Sequence, residues 1–101
     1  MIEHINNESQ FNEFIKEGTV LVDFFATWCG PCKMLTPVIE QVANEHPELK
    51  VAKVDVDELP SIAAKYQVQA IPSLFLVKDG QVVSSSLGYI NKNQLENFIN
   101  K

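Results

Sequence analysis

Two apolar segments, residues 20–26 and 51–56, restrict the folds open to this chain more than any other feature. The first reads Val-Leu-Val-Asp-Phe-Phe-Ala and is apolar at successive rather than alternate positions, which predicts a strand covered on both faces. Between the two segments, apolar residues recur at the spacing of a long helix. Because a strand, a helix and a second strand in this order pair the strands in parallel, the sequence predicts an α/β protein.

Local signals place most of the remaining elements. Asn7 and Asn91 are each followed three residues later by Gln, a capping pattern that predicts a helix near each end of the chain. A short helix is predicted over residues 60–66. Residues 73–77 and 81–84 flank a Lys-Asp-Gly turn, which predicts an antiparallel hairpin. The predicted order is βαβαβ-αββα, a mixed sheet with helices on both faces.

Size and charge narrow the functional classes. The 101 residues are 46% hydrophobic and contain no linker-like stretch, so we expect a single domain over residues 1–101. The net charge is −5 and every basic residue is lysine, which argues against a nucleic-acid or anionic-membrane partner, although an acidic surface is also simply a solvated one. No run approaches a membrane span, and we expect no secretory signal. A cytoplasmic location is the expectation.

The only two cysteines, Cys29 and Cys32, follow the first apolar segment and enclose Gly30 and Pro31. A disulfide across so short a loop would add only about 2 kcal/mol of stability, so a structural role explains it poorly. Pro31 suits the first turn of a helix, and a cysteine at a helix N-terminus is favoured as thiolate. The pair therefore predicts a redox dithiol beyond the carboxyl end of a central strand, where open α/β sheets place their sites.

A zinc site is the competing interpretation of the cysteine pair. Tetrahedral zinc would need two further ligands, and the only histidines are His4 and His46. Neither lies at motif spacing to the cysteines, so we expect no metal. We expect both histidines to face solvent, and Met34 to fill the core.

Three segments carry a resemblance to a known family. Residues 23–33 read Asp-Phe-x-Ala-x-Trp-Cys-Gly-Pro-Cys-Lys, residues 70–73 read Ala-Ile-Pro-Ser, and residues 78–80 read Lys-Asp-Gly. The chain resembles the thioredoxin family over nearly its whole length. The resemblance implies the thioredoxin fold, a central mixed sheet of about five strands flanked by about four helices.

The resemblance also implies roles for four residues of a catalytic group. Cys29 would be the more exposed, attacking thiolate, and Cys32 would resolve the mixed disulfide. Asp23 would accept the proton of Cys32 through water when the mixed disulfide resolves, and Lys53 would pair with Asp23 and tune its proton affinity. The alternatives from the sequence alone are an Asp23 that reaches solvent or caps a turn, and a Lys53 that extends to the surface.

A substrate-docking surface is implied around the cysteines. In the family the peptide bond at the position of Ile71–Pro72 is cis, whereas a trans Pro72 that merely starts a strand is the alternative for this chain. Trp28 would line the surface, or would simply be a half-buried aromatic residue. The full set implied is Trp28, Gly30, Pro31, Ile71, Pro72 and Gly88, with Val56 as a further candidate. The departures from the family pattern are Phe25, Ala70 and Tyr89, and the last two bear on partner preference.

The function implied is that of a protein-disulfide reductase without a bound cofactor. Electrons would come from NADPH through a flavoprotein, thioredoxin reductase, and the substrates would be disulfide-containing proteins such as ribonucleotide reductase, peroxiredoxins and methionine sulfoxide reductases. The chain is expected to be a monomer. No histidine separates the cysteines, which favours reduction, but an oxidase or isomerase domain and a non-catalytic subunit of a larger complex remain alternatives.

Overall fold

A mixed five-stranded sheet lies at the centre of the molecule, with helices packed on both of its faces. The computed structural model describes residues Met1–Lys101. The strands are β1 (Ile2–His4), β2 (Thr19–Phe25), β3 (Lys50–Asp55), β4 (Ser73–Lys78) and β5 (Gln81–Leu87). The helices are α1 (Glu8–Phe14), α2 (Gly30–Glu45), α3 (Pro60–Lys65) and α4 (Lys92–Ile99).

The strand order is β1-β3-β2-β4-β5, so β2 is the central strand. β2 pairs in parallel with β3, and β3 in parallel with β1, whereas β4 is antiparallel to both β2 and β5. The predicted strand–helix–strand crossover and the predicted mixed sheet are thus confirmed. Because α2 connects two parallel neighbours, its N-terminus lies at the carboxyl edge of β2, beside the turn that carries the cysteines.

Two hydrophobic clusters hold the helices to the sheet. One face packs against α2 and α4 through a cluster that includes Leu21, Leu35, Ile39 and Leu95. The other face packs against α1 and α3 through a cluster that includes Phe11, Val22, Phe24 and Ile62. Leu21 and Val22 are consecutive and contribute to opposite clusters, which explains why β2 is apolar at every position except Thr19 and Asp23.

The two capping asparagines and the hairpin turn adopt the structures that the sequence predicts. Asn7 and Asn91 are the N-caps of α1 and α4, and their side chains accept hydrogen bonds from the backbone N–H groups of Gln10 and Gln94. In the β4–β5 hairpin, Asp79 and Gly80 have φ values of 49° and 82°, the left-handed geometry that a two-residue turn requires.

Two strands differ from the sequence-based expectation. The sequence predicted a first strand but did not assign residues to it. In the structure this strand is the three-residue edge strand β1, which is too short to produce a periodic pattern. β5 extends to Leu87 rather than ending at residue 84. Its serine-rich second half has weak strand propensity, and pairing with β4 (Leu74 opposite Ser86, Ser73 opposite Leu87) keeps it extended.

No helix in the structure combines the length and the apolar character that crossing a bilayer would require.

Candidate active site

The cysteines occupy the junction between the turn after β2 and the first turn of α2. Cys29 is the N-cap of α2, in extended conformation, and its Sγ accepts a hydrogen bond of 3.2 Å from the backbone N–H of Cys32. The two sulfurs are joined in a disulfide with the Cα atoms 5.3 Å apart. In the reduced protein, the same N–H group and the positive end of the helix dipole would favour thiolate at Cys29.

Exposure does not distinguish the two cysteines, so the expectation that Cys29 is the more exposed is wrong. Each is 4% exposed. Both pack with Ala26 and with the partly buried side chains of Phe25, Val56 and Ile71. The Cys29 N–H donates to the Ala26 carbonyl, and this turn brings Cys29 back against the end of β2. The feature that remains particular to Cys29 is its position at the N-terminus of α2.

Trp28 forms the exposed rim of the dithiol. Its side chain is 70% exposed, so it is not the half-buried aromatic residue of the alternative interpretation. The indole Nε1–H donates a hydrogen bond of 2.8 Å to the Asp57 carboxylate, in the loop after β3. Asp57 was missed by the sequence reasoning, although a carboxylate just beyond a parallel strand end is expected at the site edge. Gly30 and Pro31 are exposed beside Trp28.

Ile71, the residue before Pro72, packs against the cysteine cluster. The Ile71–Pro72 peptide bond is cis, as expected from the resemblance. The Pro72 carbonyl accepts a hydrogen bond of 2.8 Å from the backbone N–H of Gly88, which has a φ of 90°. Pro72 itself is buried, and Leu87 and Tyr89 on either side of Gly88 are exposed. The exposed apolar surface next to Pro72 therefore comes from those two side chains.

A buried ion pair lies beneath the dithiol. Asp23 and Lys53 are opposite each other in the β2–β3 register, and Lys53 Nζ lies 3.1 Å from Asp23 Oδ2. Both side chains are nearly inaccessible to solvent, which excludes an Asp23 that reaches solvent and a Lys53 that extends to the surface. Asp23 Oδ1 has no hydrogen-bond partner.

Burial is the largest influence on the pKa of Asp23. Removal of the carboxylate from water raises the pKa of Asp23 above its ordinary value of 3.8, and the charge and hydrogen bond of Lys53 lower the pKa partly back. A carboxyl group with a raised pKa lies closer to the working pH range of a general acid or base. The pair can therefore hold or release a proton in a site from which bulk water is largely excluded.

A cavity of about 290 Å³ opens beside Cys32 and Lys53. The remaining side chains around it are those of Phe25, Ala26, Thr27, Lys33 and Thr36. This cavity joins the Cys32 end of the disulfide to the lysine of the ion pair. Thr36 was another residue that the sequence reasoning missed, because one hydroxyl on a helix carries no motif.

Two further expectations are wrong, and both residues lie away from the disulfide's packing cluster. Met34 is 61% exposed instead of core, because it lies on the outer face of α2. His46 is partly buried at the opposite end of α2 from Cys29, with Nε2 2.7 Å from Glu96 Oε2. His4 is exposed, as expected. No group of three or more His, Cys, Asp or Glu side chains is arranged to hold a metal ion.

A family model described as Thioredoxin matches residues 2–101. The chain belongs to the thioredoxin family. It is 48% identical over 101 residues to a thioredoxin of Chlamydia pneumoniae, covering 100% of this chain and 98% of the relative. It is also 46% identical over 95 residues to a thioredoxin of Bacillus subtilis, covering 93% of this chain and 91% of the relative. The oxidised mitochondrial thioredoxin 3 of Saccharomyces cerevisiae matches with a TM-score of 0.90 and 39% identity, over 98% of this chain and 93% of that one.

Membership of the thioredoxin family and the Cys29–Cys32 disulfide together define the chemistry. The protein is a thiol–disulfide oxidoreductase, and its activity is that of a protein-disulfide reductase. In general terms the family implies a thioredoxin reductase and disulfide-containing proteins as partners.

Proposed function

We propose that this protein reduces protein disulfides by dithiol exchange, with Cys29 as the attacking thiolate and Cys32 as the resolving thiol. The observation that carries the assignment is the position of Cys29 as the N-cap of α2, where its sulfur accepts the Cys32 N–H. Cys32 lies within the first turn and has no such donor pointing at it. The two equally buried sulfurs thus differ in how well the protein stabilises their negative charge.

The reaction balances over two exchanges. The Cys29 thiolate attacks one sulfur of the substrate disulfide, which breaks that bond, releases the first substrate thiolate and leaves Cys29 bonded to the second sulfur. Cys32 then loses its proton and attacks Cys29 Sγ, which releases the second substrate thiolate. The substrate gains two electrons and takes up two protons, one equivalent to the proton that Cys32 loses and one from solvent, and the protein is left with the Cys29–Cys32 disulfide.

Asp23 is the proton acceptor for Cys32 in this scheme, and Lys53 adjusts its proton affinity. The support is electrostatic: Asp23 is buried, has one oxygen without a partner and has a raised pKa. A base of this kind removes the Cys32 proton without admitting bulk solvent to the mixed disulfide.

The substrate docks on the surface formed by Trp28, Gly30, Pro31, Ile71 and Gly88, with the buried Pro72 and with Val56 packed beneath. An extended substrate segment adds to the backbone beside Pro72, in the manner of strand addition. The hydrogen bond between Trp28 and Asp57 and the exposed positions of Gly30 and Pro31 support this proposal.

Regeneration is by a flavoprotein thioredoxin reductase that uses NADPH, and the protein itself holds no cofactor. It acts as a cytoplasmic monomer of one domain on substrates such as ribonucleotide reductase, peroxiredoxins and methionine sulfoxide reductases. Family membership supports these assignments. An insulin-reduction assay coupled to NADPH oxidation by a defined thioredoxin reductase tests regeneration. No NADPH oxidation with a reductase that turns over a control thioredoxin would contradict it.

The decisive experiment for the cysteine roles is trapping. Cys32→Ser should accumulate mixed disulfides with substrate proteins through Cys29, and Cys29→Ser, the matched control, should accumulate none. Mass spectrometry of the linked peptides identifies the cysteine involved. Recovery of substrates on Cys32 in the Cys29→Ser variant would reverse the assignment.

The direction of electron flow has its own measurement. Titration against glutathione should give a reduction potential near the general value for thioredoxins, about −270 mV. A potential well above about −200 mV, the upper end of the glutaredoxin range, would instead support an oxidase or isomerase.

A further inference from the structure

Thr36 connects the dithiol helix to the buried ion pair. Its hydroxyl donates a hydrogen bond of 3.2 Å to the Cys32 carbonyl, one helical turn back, and accepts one of 3.4 Å from Lys53 Nζ. A hydroxyl has one hydrogen and two lone pairs, so it can make both bonds at once. The polar chain thus runs from the Cys32 backbone through Thr36 and Lys53 to Asp23.

Three contacts fix the Lys53 ammonium, and Thr36 provides one of them. The others are the Asp23 carboxylate at 3.1 Å and the Phe25 ring, whose centroid lies 4.7 Å from Nζ. Because a lysine ammonium is a mobile point charge on a flexible stem, its position depends on the contacts that hold it. Loss of the Thr36 hydroxyl would leave the ammonium free to turn toward the cavity.

The cavity reaches Lys53 and Thr36, the two side chains that connect Asp23 to the Cys32 backbone. Its volume of about 290 Å³ exceeds the roughly 30 Å³ that one water occupies in the liquid, and Thr36 and Lys53 supply polar groups to its wall. Asp23 Oδ1 is buried without a partner, so the carboxyl group has capacity for a proton.

Among the groups packed around Asp23, Lys53 is the one that lowers the pKa of its carboxyl group. From β3 come Lys53 and, further along, Asp55, whose Oδ1 already accepts the backbone N–H groups of Asp57 and Glu58. From β4 the residue opposite Asp23 is Leu74, which carries no charge. From α2, Cys32, Lys33 and Thr36 line the cavity beside Lys53.

We propose that Thr36 is a positioning residue for proton transfer: its hydroxyl holds the Lys53 ammonium against Asp23 while Asp23 takes the Cys32 proton and passes it to water in the cavity. The inference rests on the proposed role of Asp23. In the step concerned, the Cys32 S–H proton moves to the carboxylate, the Cys32 sulfur bonds to Cys29 Sγ, and the bond from Cys29 to the substrate sulfur breaks.

The test compares Thr36→Val, which keeps the branched shape without the hydroxyl, with Thr36→Ser, which keeps the hydroxyl. The measurements are the pH profile of insulin reduction and the carbon NMR titration of the Asp23 carboxyl group. Thr36→Val should slow reduction at pH 7 by about two- to tenfold, the range that one net hydrogen bond supplies. It should also raise the Asp23 pKa and move the acidic limb of the profile to higher pH, because Lys53 then lowers that pKa less.

Controls separate positioning from a structural role. Thr36→Ser should restore both the rate and the profile. Thr27→Val, at the wall of the same cavity but without a hydrogen bond to Lys53, should resemble the native protein. A slower Thr36→Val with an unshifted profile, or a Thr36→Ser that fails to restore it, would overturn the inference.

Asp23→Asn, measured in parallel, distinguishes the two levels of the argument. If Asp23→Asn slows resolution of a preformed mixed disulfide and Thr36→Val leaves the rate and profile unchanged, only the role of Thr36 is lost. If Asp23→Asn leaves resolution unchanged across the pH range, the role proposed for Asp23 is lost and the inference falls with it.

Discussion

At the scale of single residues, the site departs from the usual preference for satisfied polar groups. Asp23 is almost fully buried on the central strand, and one carboxylate oxygen has no partner. Lys53 compensates only part of the cost of removing the charge from water, as the raised pKa of Asp23 indicates. The folded state therefore favours the protonated form of Asp23 more than the unfolded chain does.

That imbalance predicts a pH-dependent effect of Asp23→Asn on stability. With a folded-state pKa above the unfolded value of 3.8, Asp23 reduces the free energy of unfolding as pH rises from about 3.8 through the raised pKa. Asp23→Asn should therefore stabilise the protein at neutral pH, and the difference should shrink toward acid, where the native carboxyl group is also neutral. Urea unfolding across the pH range measures it, and a difference that grows toward acid would contradict the argument.

At the scale of elements, α2 joins the site to the far side of the molecule. Its N-terminus carries the cysteines, and its C-terminal end is tied to α4 by pairs between His46 and Glu96 and between Glu45 and Lys92. The C-terminal end of α2 is thus held to α4 by these two side-chain pairs, next to the hydrophobic cluster that contains Leu95.

The pair between His46 and Glu96 predicts a second effect of pH on stability. The hydrogen bond that His46 donates to the Glu96 carboxylate is the main cause that raises the pKa of His46 above 6.5, with Glu48 adding to it. A raised histidine pKa gives stability that is fully present below about 6.5 and is lost as pH rises through the folded-state value. His46→Gln should remove this dependence, and His4→Gln, at an exposed position, should keep it. Thermal unfolding between pH 5 and pH 9, a range chosen to span about two units on either side of an ordinary histidine pKa, measures both.

The N-cap of α4 gives a prediction independent of pH. The Asn91 side chain and the Gln94 side chain form a reciprocal capping box, so Asn91→Ala should lower the free energy of unfolding by about 1 kcal/mol. Asn93→Ala, an exposed position within the same helical turn, is the matched control and should change it by less than about 0.5 kcal/mol. Equal losses in the two variants would show that the cap is not the stabilising contact.

At the scale of the whole molecule, the sheet divides the core into two clusters of similar size. The cluster on the α2 side contains 12 buried residues and the one on the α1 side contains 11. Since β2 contributes to both, the strand that ends at the dithiol is held from both faces, and the position of the turn after it is determined by the packing of the entire fold.

This division predicts additive effects of substitutions in the two clusters. Ile39→Val on the α2 side and Ile62→Val on the α3 side each remove one buried methylene, and each should lower the free energy of unfolding by about 0.5–1.5 kcal/mol. The double variant should equal the sum within about 0.5 kcal/mol, because the sheet separates the two sites. Denaturant unfolding measures all three, and a coupling above about 1 kcal/mol would mean that the clusters act as one core.

Much of the fold followed from patterns that span only a few residues. The apolar run of β2, the capping asparagines and the Asp79–Gly80 turn are local signals, and each element that they predicted is present. The short strand β1 and the second half of β5 carry no such signal, since pairing with a neighbouring strand is what keeps them extended.

In the candidate site too, some features follow from adjacent residues in the sequence and others depend on tertiary packing. The sequence by itself determined that two cysteines begin a helix after a buried strand, because spacing and capping chemistry are written in adjacent residues. Only the tertiary structure decided that both sulfurs are equally buried, that Lys53 meets Asp23, that Trp28 bonds to Asp57 and that Thr36 reaches Lys53. Those contacts join residues 17 to 30 positions apart, and their geometry depends on how the strands align and how α2 packs on the sheet. No pattern along the chain specifies such an alignment, since it results from the packing of both faces of the sheet at once.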